Sequence, residues 1–284
     1  MPIIGQVNDL IVTDELPFGY TLSFSGLQTK IDESVFLPLS DTNGQFVEGQ
    51  TLQAFVYYAQ DGSLHATQKD MPIRVNDFAL LTCTGATDFG AFFDWGVERD
   101  LLVPKSMQHK PMDIGLSYVV YLLDEPDNRK MIGCTKLYRF LDETTDDLSI
   151  GEAVSIIVFD ETSLGFKCVI NKQYQGLLFK SDLFKRLAVG DQLTAYVKHI
   201  REDGKIDLSL QKEGKEARSD LATQIMDDLV AHGGMSTVTD KSSADEIFAR
   251  YHVSKGAYKR AIGTLYKDKK ILLSKTHISI VENN

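Results

Sequence analysis

Hydrophobic and polar residues alternate in short runs through most of the chain, which is the period of a half-buried β-strand. The runs are about four to eight residues long and rich in Val, Ile, Phe and Tyr, with turns between them. Residues 61–62 and 203–204, each Asp-Gly, stand between apolar runs and predict tight hairpins. Gly90 and Gly165 fall inside strand patterns, where a glycine predicts a bulge or a sharp bend. This pattern favours small closed barrels of five strands, of the OB type.

Three landmarks recur in the same order and divide this β-rich part into three units. The first is a glycine between apolar residues: Gly19, Gly90 and Gly165. The second is a glycine-containing turn before an alternating apolar run. The third is a short polar phrase that ends in lysine: Lys69, Lys136 and Lys212. We therefore predict three tandem OB-type barrels at residues 1–70, 71–140 and 146–213.

The period changes to that of α-helices in residues 217–284. Apolar residues recur at helical spacing through residues 221–229, and Gly233 with Gly234 is expected to end this helix. Ser243 opens a capping-box pattern before a second helix. Ser254 caps a third helix with the apolar stripe Tyr258, Ile262, Leu265 and Tyr266. Two short apolar runs then predict a hairpin, and three helices followed by a hairpin is the order of a winged helix. The predicted fold is mainly β with a small α+β C-terminal domain.

Composition narrows the class of protein. The chain has 284 residues, of which 43% are hydrophobic and 25% charged, as in soluble globular proteins. No apolar run is long enough to cross a bilayer, and the first residues lack the features of a secretory signal. The cysteines have no CxxC spacing and are expected to be reduced, buried thiols: Cys83, Cys134 and Cys168. We therefore expect a cytoplasmic protein with no membrane partner.

The net charge of −10 argues mildly against a strongly electrostatic nucleic-acid binder. The charge is unevenly distributed, because residues 1–70 carry 2 basic and 9 acidic side chains whereas residues 217–284 carry 10 basic and 8 acidic ones. The acidity lies chiefly in the first unit and around residues 141–150. We therefore expect a first unit that binds nucleic acid poorly, and modest binding by the rest of the chain.

Two sets of motifs resemble known families. Residues 88–93, Asp-Phe-Gly-Ala-Phe-Phe, resemble the second-strand signature of S1 RNA-binding domains, and residues 176–181 of the third unit resemble the S1 pattern as well. Residues 240–243 and 253–267 resemble the winged-helix segment of the conserved virulence factor B family of bacteria. The resemblance covers the whole chain and is weakest in the first unit. It implies tandem S1 domains followed by a winged helix, RNA binding, a bacterial cytoplasmic location and an effect on gene expression.

The S1 resemblance implies that aromatic rings stack on unpaired bases while cations hold the phosphates. Each base–aromatic stack is worth about 1–3 kcal/mol and tolerates many base sequences. In the second unit the candidates are Phe89, Phe92, Lys105, His109, Lys110 and Lys130. In the third unit they are Phe166, Lys167, Phe179, Lys180, Lys198 and Lys205. In the winged helix they are Lys255, Lys259, Arg260, Lys267, Lys269 and Lys270.

These candidates have a plainer interpretation as well. An aromatic side chain on an alternating strand alternatively fills the barrel core, and lysines at a helix C-terminus also suit the helix dipole. S1 domains usually place a histidine on the third strand, and Val103 and Phe179 take that place in units two and three. Thr21 takes the second aromatic place of the first unit, which is therefore the weakest RNA-binding candidate. Trp95 is expected to pack rather than to stack on bases.

Catalytic and metal-binding motifs do not appear in the sequence. The six histidines form no HxH, HExxH or His-Cys cluster, and no Walker loop, GxSxG elbow or dinucleotide fingerprint occurs. Asp227 and Asp228 are expected to be solvated on a helix face. The leading hypothesis is a non-enzymatic, single-stranded RNA-binding protein without cofactor or metal. Two alternatives stay open: an adaptor on ribosomal or RNA-processing proteins, whose acidic first unit contacts a basic partner, and a winged-helix DNA-binding regulator.

Overall fold

The structure, a computed structural model, describes residues 3–24, 34–142, 147–183, 186–211 and 215–281. It contains three closed five-stranded barrels followed by three helices with a small sheet, which confirms the predicted fold class. The chain divides into two compact units, Met1–Phe140 with barrels 1 and 2, and Leu141–Asn284 with barrel 3 and the winged helix. Lys212, the lysine predicted to close the third unit, lies outside the described residues.

The three barrels share one strand order, in which the first strand pairs with both the second and the fourth. Barrel 1 consists of β1 (Val7–Leu16), β2 (Gly19–Phe24), β3 (Val35–Pro38), β4 (Thr51–Tyr58) and β5 (Leu64–Thr67). Barrel 2 consists of β6 (Phe78–Ala86), β7 (Gly90–Asp94), β8 (Leu101–Pro104), β9 (Ser117–Glu125) and β10 (Lys130–Cys134). Barrel 3 consists of β11 (Ala153–Glu161), β12 (Gly165–Ile170), β13 (Tyr174–Phe179), β14 (Gln192–Ile200) and β15 (Ile206–Ser209).

A β-bulge interrupts the first strand of every barrel at the same place. The register shifts lie between Val12 and Asp14, Cys83 and Gly85, and Val158 and Asp160. Of the bulge or sharp bend expected at Gly90 and Gly165, the bulge is contradicted, since the pairing of the second strand with the third is continuous at both glycines. Glycine is needed there for close approach instead. A Cβ on Gly90 would lie 2.6 Å from the carbonyl oxygen of Val103, and one on Gly165 would meet the carbonyl oxygen of Leu178.

Alternation along the strands fills each barrel with the inward side chains. On β7, for example, Phe93 is fully buried whereas Phe92 lies on the outer face. Trp95 packs as predicted: it is 3% exposed, and its indole N–H donates to the carbonyl oxygen of Arg99 at 2.7 Å. The rings of Phe55 and Tyr57 on barrel 1 lie 6.2 and 6.0 Å from its ring. These contacts give barrels 1 and 2 a shared apolar junction.

The C-terminal part has the predicted order of helices and strands, with one short strand added after the first helix. Its elements are α1 (Lys215–Ala231), β16 (Met235–Ser236), α2 (Ala244–Tyr251), α3 (Lys255–Lys267), β17 (Ile271–Leu273) and β18 (Ile278–Ile280). The hydroxyls of Ser243 and Ser254 accept hydrogen bonds from backbone N–H groups in the first turns of α2 and α3, which confirms both caps. Tyr266 is exposed rather than part of the buried stripe, because it lies about 80° around the helix from Tyr258, at the edge of the buried face.

Candidate nucleic-acid interface

The strand register assigns equivalent positions in the three barrels. The glycine that opens the second strand pairs with the last residue of the third strand: Gly19 with Pro38, Gly90 with Pro104, and Gly165 with Phe179. The residue before each glycine is a large apolar side chain in solvent. These residues are Phe18, 66% exposed, Phe89, 71% exposed, and Leu164, 66% exposed. The same place is thus apolar and exposed in every barrel, but only barrels 1 and 2 carry an aromatic ring there.

This register corrects one sequence alignment. The counterpart of Phe179 in barrel 2 is Pro104, and not Val103 as the sequence suggested. Val103 is fully buried, because it alternates inward on β8. A 3-10 turn follows the third strand in each barrel, so Lys105 and Lys180 begin equivalent turns in barrels 2 and 3.

Four of the residues predicted for barrel 2 come together at one end of that barrel. Lys105, His109 and Lys110 line a groove of about 450 Å³, which is also lined by the β6–β7 hairpin through residues 86–87 and 90–91. The backbone N–H of Lys105 donates to the carbonyl oxygen of Phe89 at 2.8 Å. The backbone of Phe89, whose ring is exposed, is therefore tied to the turn that begins at Lys105, and two lysines and a histidine lie on the wall of the adjacent groove.

Phe92 and Lys130 do not line this groove. Phe92 is half-buried on the outer face of β7, where it pairs with Leu102 of β8. Lys130 opens β10 and is exposed, and β10 pairs with β8 at the level of Leu102. Both residues therefore lie on the outer surface of three adjacent strands of barrel 2.

The prediction that Phe166 of barrel 3 stacks on a base is wrong. Phe166 is only 6% exposed and packs in the barrel core, because Gly165 takes the outward place on β12 and Phe166 turns inward. Its ring has no open face for a base. Phe179 is half-buried on the outside, and the guanidinium of Arg201 lies 5.8 Å from its ring centre. No sequence motif singled out Arg201, whose guanidinium pairs with the carboxylate of Asp207 at 2.8 Å.

All four predicted phosphate-binding lysines of barrel 3 already face carboxylates. The ion pairs are Lys167–Asp160 at 3.7 Å, Lys180–Glu161 at 2.6 Å, Lys198–Asp182 at 2.7 Å and Lys205–Asp203 at 2.5 Å. Pairs at or near the surface contribute little to stability, because water and salt screen them. A phosphate can therefore replace the carboxylate at little cost, but the net attraction of this face for RNA is reduced.

The six predicted cations of the winged helix lie on the solvent side of α3 and in the turn after it. Lys259 and Arg260 are exposed on the helix, and Lys255 at its start is half-exposed. Exposed lysines follow at and beyond its C-terminus: Lys267, Lys269 and Lys270. Within the described parts of the chain, none of the six forms an ion pair. The winged helix thus has a more open positive surface than barrel 3.

Asp228 is not a solvated acid as the sequence suggested, although its neighbour Asp227 is exposed. The carboxylate of Asp228 accepts hydrogen bonds from Arg250 at 2.8 and 3.0 Å and from the hydroxyl of Tyr251 at 2.6 Å. Burial alone would raise the pKa of Asp228, but these donors hold it below its usual value. The cluster ties α1 to α2 and is structural.

Barrel 1 carries aromatic side chains that the sequence analysis did not single out. Phe36 on β3 lies with its ring centre 5.9 Å from that of Phe18 and 5.4 Å from that of His65 on β5. Alternation on β3 places Val35 and Leu37 in the core, so the outward direction of Phe36 is readable from the sequence. Its proximity to His65 is not, because it depends on the parallel pairing of β3 with β5.

Titratable side chains in the described residues form no cluster of three or more His, Cys, Asp or Glu that could hold a metal ion. The three cysteines are free and buried, as expected. Burial raises the pKa of Cys168 to about 12, so its thiol stays protonated at neutral pH. No helix in the described residues is long and apolar enough to cross a membrane.

Three barrels with an exposed apolar residue before the second strand, followed by a capped three-helix domain with a small sheet, define a tandem S1-type and winged-helix protein. Residues 4–69 match the family model of the S1 domain, and residues 223–280 match that of the CvfB-like winged helix domain. Domains of these two kinds are typical of nucleic-acid-binding proteins. The S1 match covers barrel 1, the unit whose resemblance was weakest by its aromatic positions.

Relatives that match over most of the chain are bacterial. Conserved virulence factor B of Staphylococcus epidermidis is 28% identical over 262 residues, which cover 88% of this chain and 87% of the relative. Conserved virulence factor B of Staphylococcus saprophyticus is 25% identical over 288 residues, which cover 99% and 95%. The Bacillus subtilis protein YitL is 25% identical over 276 residues, which cover 94% and 90%. These matches confirm the resemblance to the conserved virulence factor B family.

One solved structure also matches along the chain. It is the crystal structure of a multidomain protein with nucleic acid binding domains from Streptococcus pneumoniae. That protein is 22% identical to this chain, with a TM-score of 0.45 and 98% of each chain covered.

Proposed function

We propose that this protein binds single-stranded RNA through barrels 2 and 3 and the winged helix, without catalysing a reaction. The four segments 1–70, 71–140, 146–213 and 217–284 act as its domains. The protein acts in the cytoplasm, and binding affects bacterial gene expression after transcription. The names of the staphylococcal relatives support an effect on virulence factors.

The observation that carries this proposal is the position of Phe89 beside the groove of Lys105, His109 and Lys110. A ring that is 71% exposed offers a flat face to a base, and an unpaired base can reach it whereas a base inside a duplex cannot. The lysines are placed for the phosphate next to that base. A stacked base and a held phosphate together make one nucleotide subsite.

Barrel 3 and the winged helix add phosphate contacts of their own. On barrel 3, Phe179 is the remaining outward aromatic ring, with Arg201 beside it. The lysines of barrel 3 exchange their carboxylate partners for phosphates. The cations of α3 and of the turn after it contact the phosphate backbone of the RNA. A helix of this kind also fits a nucleic-acid groove. Each barrel 3 lysine gives up a carboxylate when it binds a phosphate. The affinity for RNA is therefore expected to fall only slowly as salt is added.

The test compares an unstructured RNA of about 15 nucleotides with duplex DNA of the same sequence, titrated against the full chain at two salt concentrations. We expect the RNA to bind more tightly at both concentrations, since stacking on Phe89 needs unpaired bases. Tighter binding of the duplex would contradict the proposal and favour a winged-helix DNA-binding regulator.

A further inference from the structure

A single row of outward side chains crosses all five strands of barrel 1. It runs Asp14, Thr21, Phe36, His65 and Tyr57, and each residue pairs directly with the next across neighbouring strands. The chain neighbours of Thr21, Phe36 and His65 point into the barrel, and Asp14, just after the bulge of β1, is itself exposed. The row therefore lies on the outer surface, and only its Tyr57 end is covered, by the junction with barrel 2.

The aromatic members of this row and Phe18 next to it form a continuous chain of rings. Phe18, in the β1–β2 hairpin, lies 5.9 Å from Phe36, which lies 5.4 Å from His65, which lies 6.0 Å from Tyr57. The interplanar angles are 59°, 70° and 65°, as in tilted and edge-to-face contacts. The rings support one another, so the exposed Phe18 is held as part of a surface rather than being an isolated apolar side chain.

Acidic side chains flank the rings on both sides. Asp14 stands in the row itself, next to Thr21, and Glu15 is exposed beside it. Asp61 lies at the other end, near His65. The pKa of Asp61 is lowered, chiefly because the hydroxyl of Ser63 donates to its carboxylate, and the imidazole of His65 lowers it further.

Positive charge is scarce on this barrel. Within residues 3–24 and 34–70, the parts of barrel 1 that the structure describes, Lys69 is the one lysine or arginine, and Asp41 holds it at 2.6 Å. RNA phosphates would meet repulsion here, whereas a cation would meet both carboxylates and aromatic faces. The charge of the face thus selects a ligand of opposite sign to RNA.

Barrel 1 already holds one arginine against an aromatic ring and a carbonyl oxygen. The guanidinium of Arg129, from barrel 2, lies 5.4 Å from the ring centre of Tyr58, and its Nε donates to the carbonyl oxygen of Gly62 at 2.5 Å. A guanidinium suits such a site because it stacks on aromatic rings and donates from a planar fork to oxygen acceptors. The same chemistry is available on the exposed part of the row, where Phe18 and Phe36 provide rings and Asp14 provides a carboxylate.

We propose that this face, defined by Phe18, Phe36, His65, Asp14, Glu15 and Asp61, docks a basic, arginine-containing segment of a protein partner. Charge complementarity identifies the occupant as a cationic polypeptide. Arginines lie over the rings and pair with the carboxylates at their edge. The protein would then bind a protein partner through barrel 1 and RNA through its other domains, so this inference goes beyond RNA binding and does not depend on it.

The test uses the full chain and two labelled 12-residue peptides, one alternating arginine with serine and one with citrulline in place of each arginine. We expect the arginine peptide to bind and the citrulline peptide to bind far more weakly, because citrulline keeps the shape but not the charge. Phe18→Ser is expected to weaken arginine-peptide binding about two- to fivefold, the range of an exposed cation–π contact. Asp14→Asn combined with Glu15→Gln is expected to weaken it further and to flatten its salt dependence.

Leu164→Ser is the matched control, because Leu164 takes the place of Phe18 in barrel 3 with the same 66% exposure. It should leave peptide binding unchanged. Equal binding of both peptides, or wild-type affinity in Phe18→Ser and in the acid double variant, would overturn the proposal. A loss of RNA binding without a loss of peptide binding in Phe18→Ser would also overturn it, and would assign the face to RNA. The RNA affinity of Phe89→Ala reports on the proposed function separately.

Discussion

Phe89 and Leu164 occupy equivalent places in barrels 2 and 3. Each precedes the glycine that opens the second strand, and they are 71% and 66% exposed. The two barrels therefore present the same backbone site with and without an aromatic ring. This equivalence makes the contribution of the ring measurable in both directions.

Leu164→Phe should give barrel 3 the stacking ring that it lacks. A base–aromatic stack contributes about 1–3 kcal/mol, so at the lower end we expect single-stranded RNA to bind about fivefold more tightly. Fluorescence anisotropy with a short unstructured RNA measures the change. Leu164→Met, which adds no ring, serves as the control, and an equal gain in this variant would show that the effect is not stacking.

Glu161→Gln should release Lys180 for phosphate binding. The two side chains are 2.6 Å apart and both are exposed, so breaking the pair should change the free energy of unfolding by less than about 1 kcal/mol. We expect RNA affinity to rise by about two- to fivefold at low salt, and this gain to shrink as salt is added.

Glu202→Gln provides the comparison for that variant. Glu202 is an exposed acid of barrel 3, and removing it changes the net charge equally without releasing Lys180. A similar gain in Glu202→Gln would mean that net charge, rather than the release of one lysine, governs binding.

Asp228→Asn should destabilise the winged helix by about 1–3 kcal/mol at neutral pH, because Arg250 and Tyr251 lose a charged acceptor. The folded-state pKa of Asp228 is lowered, so its carboxylate contributes fully to stability above the ordinary pKa of about 4. This contribution to stability is lost as the pH falls through the folded-state pKa. Asp228→Asn should therefore flatten the loss of stability in acid. Hydrogen exchange of the α1 and α2 amides measures this locally, and Asp227→Asn, the exposed neighbour, should behave like the wild type.

Much of the fold is predictable from the sequence, because its signals are local. Alternating apolar residues mark the strands, and the glycine shared by Gly19, Gly90 and Gly165 recurs because each barrel needs the same close backbone approach. The caps at Ser243 and Ser254 are local as well, and both are where their motifs predict. Local patterns are repeated in every copy of a tandem fold, which makes them visible in one sequence.

The candidate site is less predictable, because it depends on contacts between distant strands. The side chain of Phe166 points into the barrel because Gly165 takes the outward place on the second strand. The sequence does not show which residue of that strand faces outward. The ring contact between Phe36 and His65 requires the pairing of β3 with β5. Three of the four ion pairs of the barrel 3 lysines likewise join different strands and turns, as between Lys198 and Asp182, whereas Lys205 and Asp203 share one hairpin turn.

RNA binding by barrel 2 is proposed to depend on the ring of Phe89, which stacks on a base. The most direct measurement is the affinity of the full chain for a short unstructured RNA, compared between the wild type and Phe89→Ala. We expect Phe89→Ala to bind about 5- to 150-fold more weakly, the range of one lost stack of about 1–3 kcal/mol. Phe18→Ala, which removes a ring from the same place on acidic barrel 1, should keep wild-type affinity. Unchanged affinity in Phe89→Ala, or an equal loss in Phe18→Ala, would contradict the account.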